Sequence, residues 1–179
     1  PSVTVTGVTL TNNGTLTVGT ALAGTGGLTN GATGTLNLGG TFAITTLTVS
    51  ATGNTVNFSG SGAQTIPALN FYNLTSSSSG ARTLASSGTI GIAGTFTPGT
   101  NAYTVTGSTV DFNGGGAQAV PAMTYNNLIL SASGAKSLSE ATTINGNLSI
   151  SGTASANLGT YTSSSGALTL GGTGQSIGS

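Results

Sequence analysis

The sequence predicts an all-β chain wound as a parallel β-helix, a single β-solenoid domain over residues 1–179 with about nine coils of 18–20 residues. Three observations predict it. A block of sequence returns after 54 residues. A beat of about nineteen residues runs beneath that block. The recurring residues are strand formers, Val, Ile, Leu and Thr, separated by Gly, Asn and Ser.

The long repeat is plainest at GAQTIPALNFYNL, residues 62–74, and GAQAVPAMTYNNL, residues 116–128. It extends upstream, where GNTVNFSGSGAQ at 53–64 aligns with GSTVDFNGGGAQ at 107–118. Downstream, GARTL at 80–84 aligns with GAKSL at 134–138. A third copy opens at GTGQSIG, residues 172–178, so Gln64, Gln118 and Gln175 mark three equivalent points. The repeats begin near 53, 107 and 165, and residues 1–52 are more divergent coils.

The shorter beat shows as apolar stripes. The first runs Leu16, Leu36, Val56, Leu74, Ile92, Val110, Leu128, Leu148 and Leu168, in steps of 18 or 20. The second runs Leu10, Leu28, Leu47, Ile66, Leu84, Tyr103, Val120, Leu138, Leu158 and Ile177. A patchier third takes in Phe71, Ile90, Tyr125, Ile144 and Tyr161. The first stripe without Ile92, that is Leu16, Leu36, Val56, Leu74, Val110, Leu128, Leu148 and Leu168, is expected to form one buried ladder. Its rung near 92–105 is ambiguous, because motif alignment sets Phe96 rather than Ile92 against Leu148.

A solenoid accounts for these stripes because one coil buries too little apolar surface to offset the entropy of ordering it. Each coil must therefore template the next. Scarce helix formers exclude a helical solenoid. Strands this short exclude a membrane barrel, and a propeller blade needs more residues than one coil supplies. Gly62–Ala63 and Gly116–Ala117 read as corners, and Pro67 and Pro121 as strand ends. The Gln-x-apolar-Pro motif reads as a strand-to-turn signal, with a sugar-binding glutamine as the sharper alternative.

Charged residues make up only 2% of the chain: Arg82, Lys136, Asp111 and Glu140. Net charge is zero, which removes the electrostatic case for nucleic acid or an anionic membrane. There is no Cys and no His, hence no disulfide and no thiolate or imidazole chemistry. No apolar run is long enough for a membrane helix. Acid–base work would fall on Asp111 and Glu140, which belong to different stripes and so to different walls. No catalytic, cofactor or metal site is therefore expected.

Arg82 and Lys136 share a repeat position and are expected at solvated corners. Strand parity opposes this, since Lys136, Leu138 and Glu140 would point the same way; either a bend near Gly134 or Ser139 separates them or Leu138 is not a core residue. Asp111, which stands where the preceding repeat has Asn57, reads as a tolerated surface substitution. Asn-x-Ser/Thr sequons occur at Asn13, Asn57, Asn73 and Asn147 and leave glycosylation open.

GSTVDFNGGGAQAVPAMTYNNLIL and SGTIGIAGTFTPG resemble repeat units of giant secreted bacterial proteins of the filamentous-haemagglutinin and autotransporter-passenger kind, whose stalks are right-handed parallel β-helices. The resemblance covers residues 50–179 by motif and the first 50 by period. It implies an extracellular or cell-surface role. It carries over no site residues, because the shared motif is a folding motif.

Two functional classes follow. One is a stalk, sheath or filament subunit. The other is a surface-binding module, either an adhesin or an ice-binder with an interrupted Thr-x-Thr array. The ends, PSVTVTGVTLT and GGTGQSIGS, carry no recognisable cap, so copies are expected to stack end to end or to continue into further repeats. No nucleic acid and no membrane insertion is expected.

Overall fold

The computed structural model describes residues 1–139 and 142–158 in full, and the backbone of strands 161–163, 168–172 and 177–178. It is all-β, with parallel strands stacked as a β-solenoid of about 8 turns. No helix occurs among the described residues. The chain divides into two compact units. Unit 1 comprises Pro1–Ile66, Asn70–Thr83 and Thr97–Thr104. Unit 2 comprises Pro67–Leu69, Leu84–Phe96 and Val105–Ser179.

In unit 1 the strands Thr15–Val18, Thr35–Leu38, Thr55–Phe58 and Asn73–Ser76 stack in register. Leu16 pairs with Leu36, Leu36 with Val56 and Val56 with Leu74. Alternate residues turn inward, as the period of a strand requires. Leu36, Val56 and Leu74 are buried, as are Leu38 and Phe58 one alternation on. Phe58 meets Phe42 and Phe71 edge to face, both at 6.4 Å between ring centroids. A second sheet joins Thr9–Asn12, Ala21–Asn30 and Thr41–Thr48, aligning Leu10 with Leu28 and Leu28 with Leu47.

In unit 2, Thr109–Phe112, Asn127–Leu130 and the long strand Leu148–Asn157 stack in the same way. Val110 pairs with Leu128, Leu128 with Leu148 and Leu148 with Leu168. Gln118–Val120 and Ser133–Leu138 form a second wall, with Val120 beside Leu138. Thr124–Tyr125, Thr142–Ile144 and Tyr161–Ser163 form a third. The expected strand ends hold: Pro67 follows the strand Gln64–Ile66, and Pro121 follows Gln118–Val120.

Several rungs differ from expectation. The first stripe is two ladders in separate sheets, Leu16 to Leu74 in unit 1 and Val110 to Leu168 in unit 2. Beside Val110 stands Ile90, from the third stripe, while Ile92 pairs with Phe112. Both isoleucines of Ile90–Ile92 face inward, so the apolar period fits either choice and backbone pairing decides. Ile177 pairs with Ala156 rather than Leu158, and Tyr161 with Thr142 rather than Ile144. Leu10 is 38% exposed, not a core rung.

Candidate functional site

The groups with the most chemistry lie inside the coils. Arg82 of unit 1 opens the strand Arg82–Leu84, whose burial pattern is in, out, in, so Arg82 lies on the inward face. Arg82 is fully buried. Among the described residues no carboxylate pairs with it, and its partners are the oxygens of coil corners. Its Nη2 donates to Phe58 O at 2.8 Å, Gly60 O at 3.0 Å and Ser77 O at 2.7 Å. Its Nη1 donates to Gly80 O at 2.9 Å, Ala81 O at 3.2 Å and Gly62 O at 3.3 Å. Its Nε donates to Ser76 Oγ at 2.8 Å. A planar fork of five N–H groups suits a corner where carbonyls converge from several directions. Burial lowers the guanidinium pKa from its ordinary value, and nearby Tyr103 acts in the opposite sense. The Tyr103 hydroxyl is itself pushed up by burial.

Unit 2 repeats the arrangement with a different cation. Lys136 lies in Ser133–Leu138 beside inward-facing Leu138 and is fully buried. Its Nζ donates to Gly114 O at 2.6 Å, Gly116 O at 3.1 Å and Gln118 Oε1 at 2.7 Å. Three donors meet three oxygens, so the ammonium is satisfied without a counter-ion. Burial lowers its pKa below the ordinary lysine value, partly offset by the Asp111 carboxylate. The expectation that both cations occupy solvated corners is corrected here. Parity alone places them: Lys136 and Leu138 do point the same way, no bend separates them, and both point in.

The two glutamines belong to the same device. Gln64 Nε2 donates to Leu38 O at 2.8 Å and Gly40 O at 2.9 Å, while its Oε1 accepts from Gly60 N at 2.9 Å. Gln118 Nε2 donates to Ile92 O and Gly94 O at 2.9 and 2.8 Å, and its Oε1 accepts from Gly114 N. Neither amide is presented to a sugar. The motif reads as a strand-to-turn signal because glutamine fastens that turn to the coil before it. Asn101 does similar work, donating to Ser78 O and Gly80 O. In each case the donor comes from a later coil and closes the corner of an earlier one. A glycine is needed where they meet: a Cβ on Gly114 would collide with Ala93 O and Gln118 Cδ.

Asp111 is half-buried rather than a bare surface residue, and its Oδ1 accepts from Ser131 Oγ at 2.7 Å. Burial raises its pKa, against the lowering effects of that bond and of Lys136. Its equivalent Asn57 accepts from Ser77 Oγ at 3.0 Å and donates to Asn37 Oδ1 at 3.1 Å. Glu140 and Gln175 lie outside the described residues. Among the described residues no cluster of three or more His, Cys, Asp or Glu side chains could hold a metal ion. Of the sequons, Asn13 and Asn147 are exposed, whereas Asn57 and Asn73 are half-buried with amides donating to neighbouring coils.

Unit 1 carries two shallow clefts, of about 540 and 300 Å³. The larger is walled by Val8 and by Thr9, Thr29, Thr46 and Thr48 over a floor at Gly27. The smaller lies against Phe42, Phe58 and Gln64. Both linings are free of charge. No protein-family model, curated protein or solved structure matches the chain.

Proposed function

We propose that this chain is an extracellular structural protein, a β-solenoid stalk or filament subunit of a bacterial cell surface in which the stacked coils are themselves the function. The observation that supports this most is the fate of the long polar side chains. Arg82, Lys136, Gln64 and Gln118 all turn inward, and each donates to a backbone carbonyl 22–26 positions earlier in the chain. Arg82 is the only charged side chain in unit 1, so none reaches that unit's surface. A neutral hydroxyl and amide exterior favours packing against further copies or further repeats, since like-charge repulsion is missing. The resemblance to secreted β-helical stalks supports the extracellular setting. Electron microscopy of the purified chain tests the proposal. Rods, or fibres that lengthen with concentration, are expected; compact particles at every concentration would oppose it.

A surface-binding reading has one specific support. Thr11 stacks on Thr29 and Thr29 on Thr48, giving one threonine rank beside a second, Thr9 to Thr46, that is interrupted by Gly27. Such a rank offers regularly spaced hydroxyls and methyls to a periodic surface such as ice. Inhibition of ice recrystallisation, lost in Thr29→Tyr and Thr46→Tyr, would favour that reading over a purely structural one.

A further inference from the structure

We propose that each unit contains an internal monovalent-cation site built from coil-corner oxygens, in which the repeat's own side chain is the resident ion. The site in unit 2 is Gly114 O, Gly116 O and Gln118 Oε1; that in unit 1 is the ring of carbonyls around the Arg82 guanidinium, with Ser76 Oγ. This inference is independent of the stalk reading, because it concerns what the corners bind and not what the coils are for.

The site belongs to the backbone and not to the side chain that fills it. Gly60 and Gly114 are equivalent across the 54-residue repeat, as are Gly62 and Gly116, and their carbonyls receive a guanidinium in one repeat and an ammonium in the other. The two cations share almost nothing beyond positive charge and N–H donors. A corner that accepts either is selecting for a cation. Removing it would strip the cation's bonds from the equivalent carbonyls Gly60 O and Gly62 O, or Gly114 O and Gly116 O, which is costly.

The donor set also defines the class of ion. All acceptors are carbonyl or hydroxyl oxygens, and no carboxylate takes part in either site, unlike a typical calcium or magnesium site. Rings of carbonyl oxygens are the groups that replace the hydration shell of potassium. The unit 2 site holds a compact ammonium and suits potassium or a primary ammonium ion. The unit 1 site is extended by the Nε contact to Ser76 and by bonds from both Nη atoms, and suits the planar guanidinium ion. At the position equivalent to Ser76, unit 2 has Leu130, which offers no side-chain acceptor.

The experiment empties each site in the full chain. Lys136→Ala and Arg82→Ala are unfolded thermally in sodium, potassium, methylammonium, guanidinium and tetramethylammonium chlorides. Concentrations are equal and far below the denaturing range. For Lys136→Ala, potassium or methylammonium should raise the midpoint by about 2–4 °C over tetramethylammonium, the size of a roughly 1 kcal/mol effect in a chain of this length. For Arg82→Ala, guanidinium should raise it and methylammonium should not. The unsubstituted chain should respond to none. Hydrogen exchange at 114–118 should slow when the matching ion is added to Lys136→Ala. A variant unfolded in sodium but folded with its matching ion supports the sites. Equal shifts in variant and parent, no shift with any ion, or a variant unfolded under every condition overturns them.

Discussion

Arg82 and Lys136 occupy one repeat position in two units, and the difference between them shows how a solenoid corner is completed. Around Arg82 seven hydrogen bonds reach six carbonyls and the Ser76 hydroxyl. Around Lys136 three bonds suffice, and one is supplied by the inward glutamine of the preceding coil. In unit 1 no bond joins Gln64 to Arg82 among those described, and Gln64 Oε1 is committed to Gly60 N. The larger cation therefore bonds its corner without the glutamine, sharing Gly80 O with Asn101 Nδ2, while the smaller one shares its corner with Gln118. Among the described residues neither corner uses a salt bridge, and every bond from the two cations ends on a carbonyl or hydroxyl oxygen.

Breaking this comparison should produce the largest effect in unit 1. Arg82→Met keeps the buried stem and removes the fork; Phe58 O, Ala81 O and Gly80 O retain Ser77 N, Gln64 N and Asn101 Nδ2, while Gly60 O, Gly62 O and Ser77 O lose the guanidinium bond. A loss of about 3–5 kcal/mol is expected from urea unfolding, in the range for stripping one partner from a buried charged group. Lys136→Met should cost less, about 2–3 kcal/mol, because Gln118 still bonds Gly114 N, Ile92 O and Gly94 O. Equal losses from the two would contradict the division of labour drawn above.

Exchanging the cations sharpens the point. Lys136→Arg must place an Nε beside Leu130, where the equivalent residue in unit 1 is Ser76. Destabilisation is expected, and Leu130→Ser should recover part of it in a double-mutant cycle. A Lys136→Arg variant as stable as the parent would show that the corner does not distinguish the two cations by shape.

The alkaline limb of stability should also separate the units. Lys136 has a lowered pKa in the folded state, so between that value and the ordinary lysine value the unfolded chain binds more protons. Stability should rise with pH through that window, and Lys136→Met should abolish the rise. Tyr103 in unit 1 has a raised pKa, so its contribution runs the other way and falls as pH passes the ordinary tyrosine value. Unfolding midpoints of the parent, Lys136→Met and Tyr103→Phe against pH would resolve the two signs.

Smaller effects are expected at two further equivalent pairs. Tyr125 is buried and donates to Pro121 O at 3.0 Å, whereas the preceding repeat has Phe71. Tyr125→Phe should cost about 1 kcal/mol. Asp111→Asn recreates Asn57 and keeps an oxygen for Ser131, so a change within about 0.5 kcal/mol is expected, read by chemical denaturation.

The architecture was legible in the sequence because stacking forces like residues into register, and period and composition both report that. Pro67, Pro121 and the glycine corners were legible for the same reason. The change of sheet within the first stripe was not, because Ile90 and Ile92 satisfy the same alternation and only pairing separates them. The internal cations were half legible. Parity placed Lys136 with Leu138 on one face, but charge is ordinarily solvated, and that expectation prevailed. The carbonyls that overturn it come from residues 20–24 positions away, brought together only by the winding of the coil.

Lys136 is the only lysine in the chain, which makes the central claim directly measurable. The folded protein is treated with an amine-reactive reagent and the modified fraction at Lys136 is read by mass spectrometry, with the same reaction in urea as reference. An internal ammonium held by Gly114, Gly116 and Gln118 predicts negligible modification in the folded state and full modification in urea. Modification at Lys136 at the same rate in both states would contradict the account.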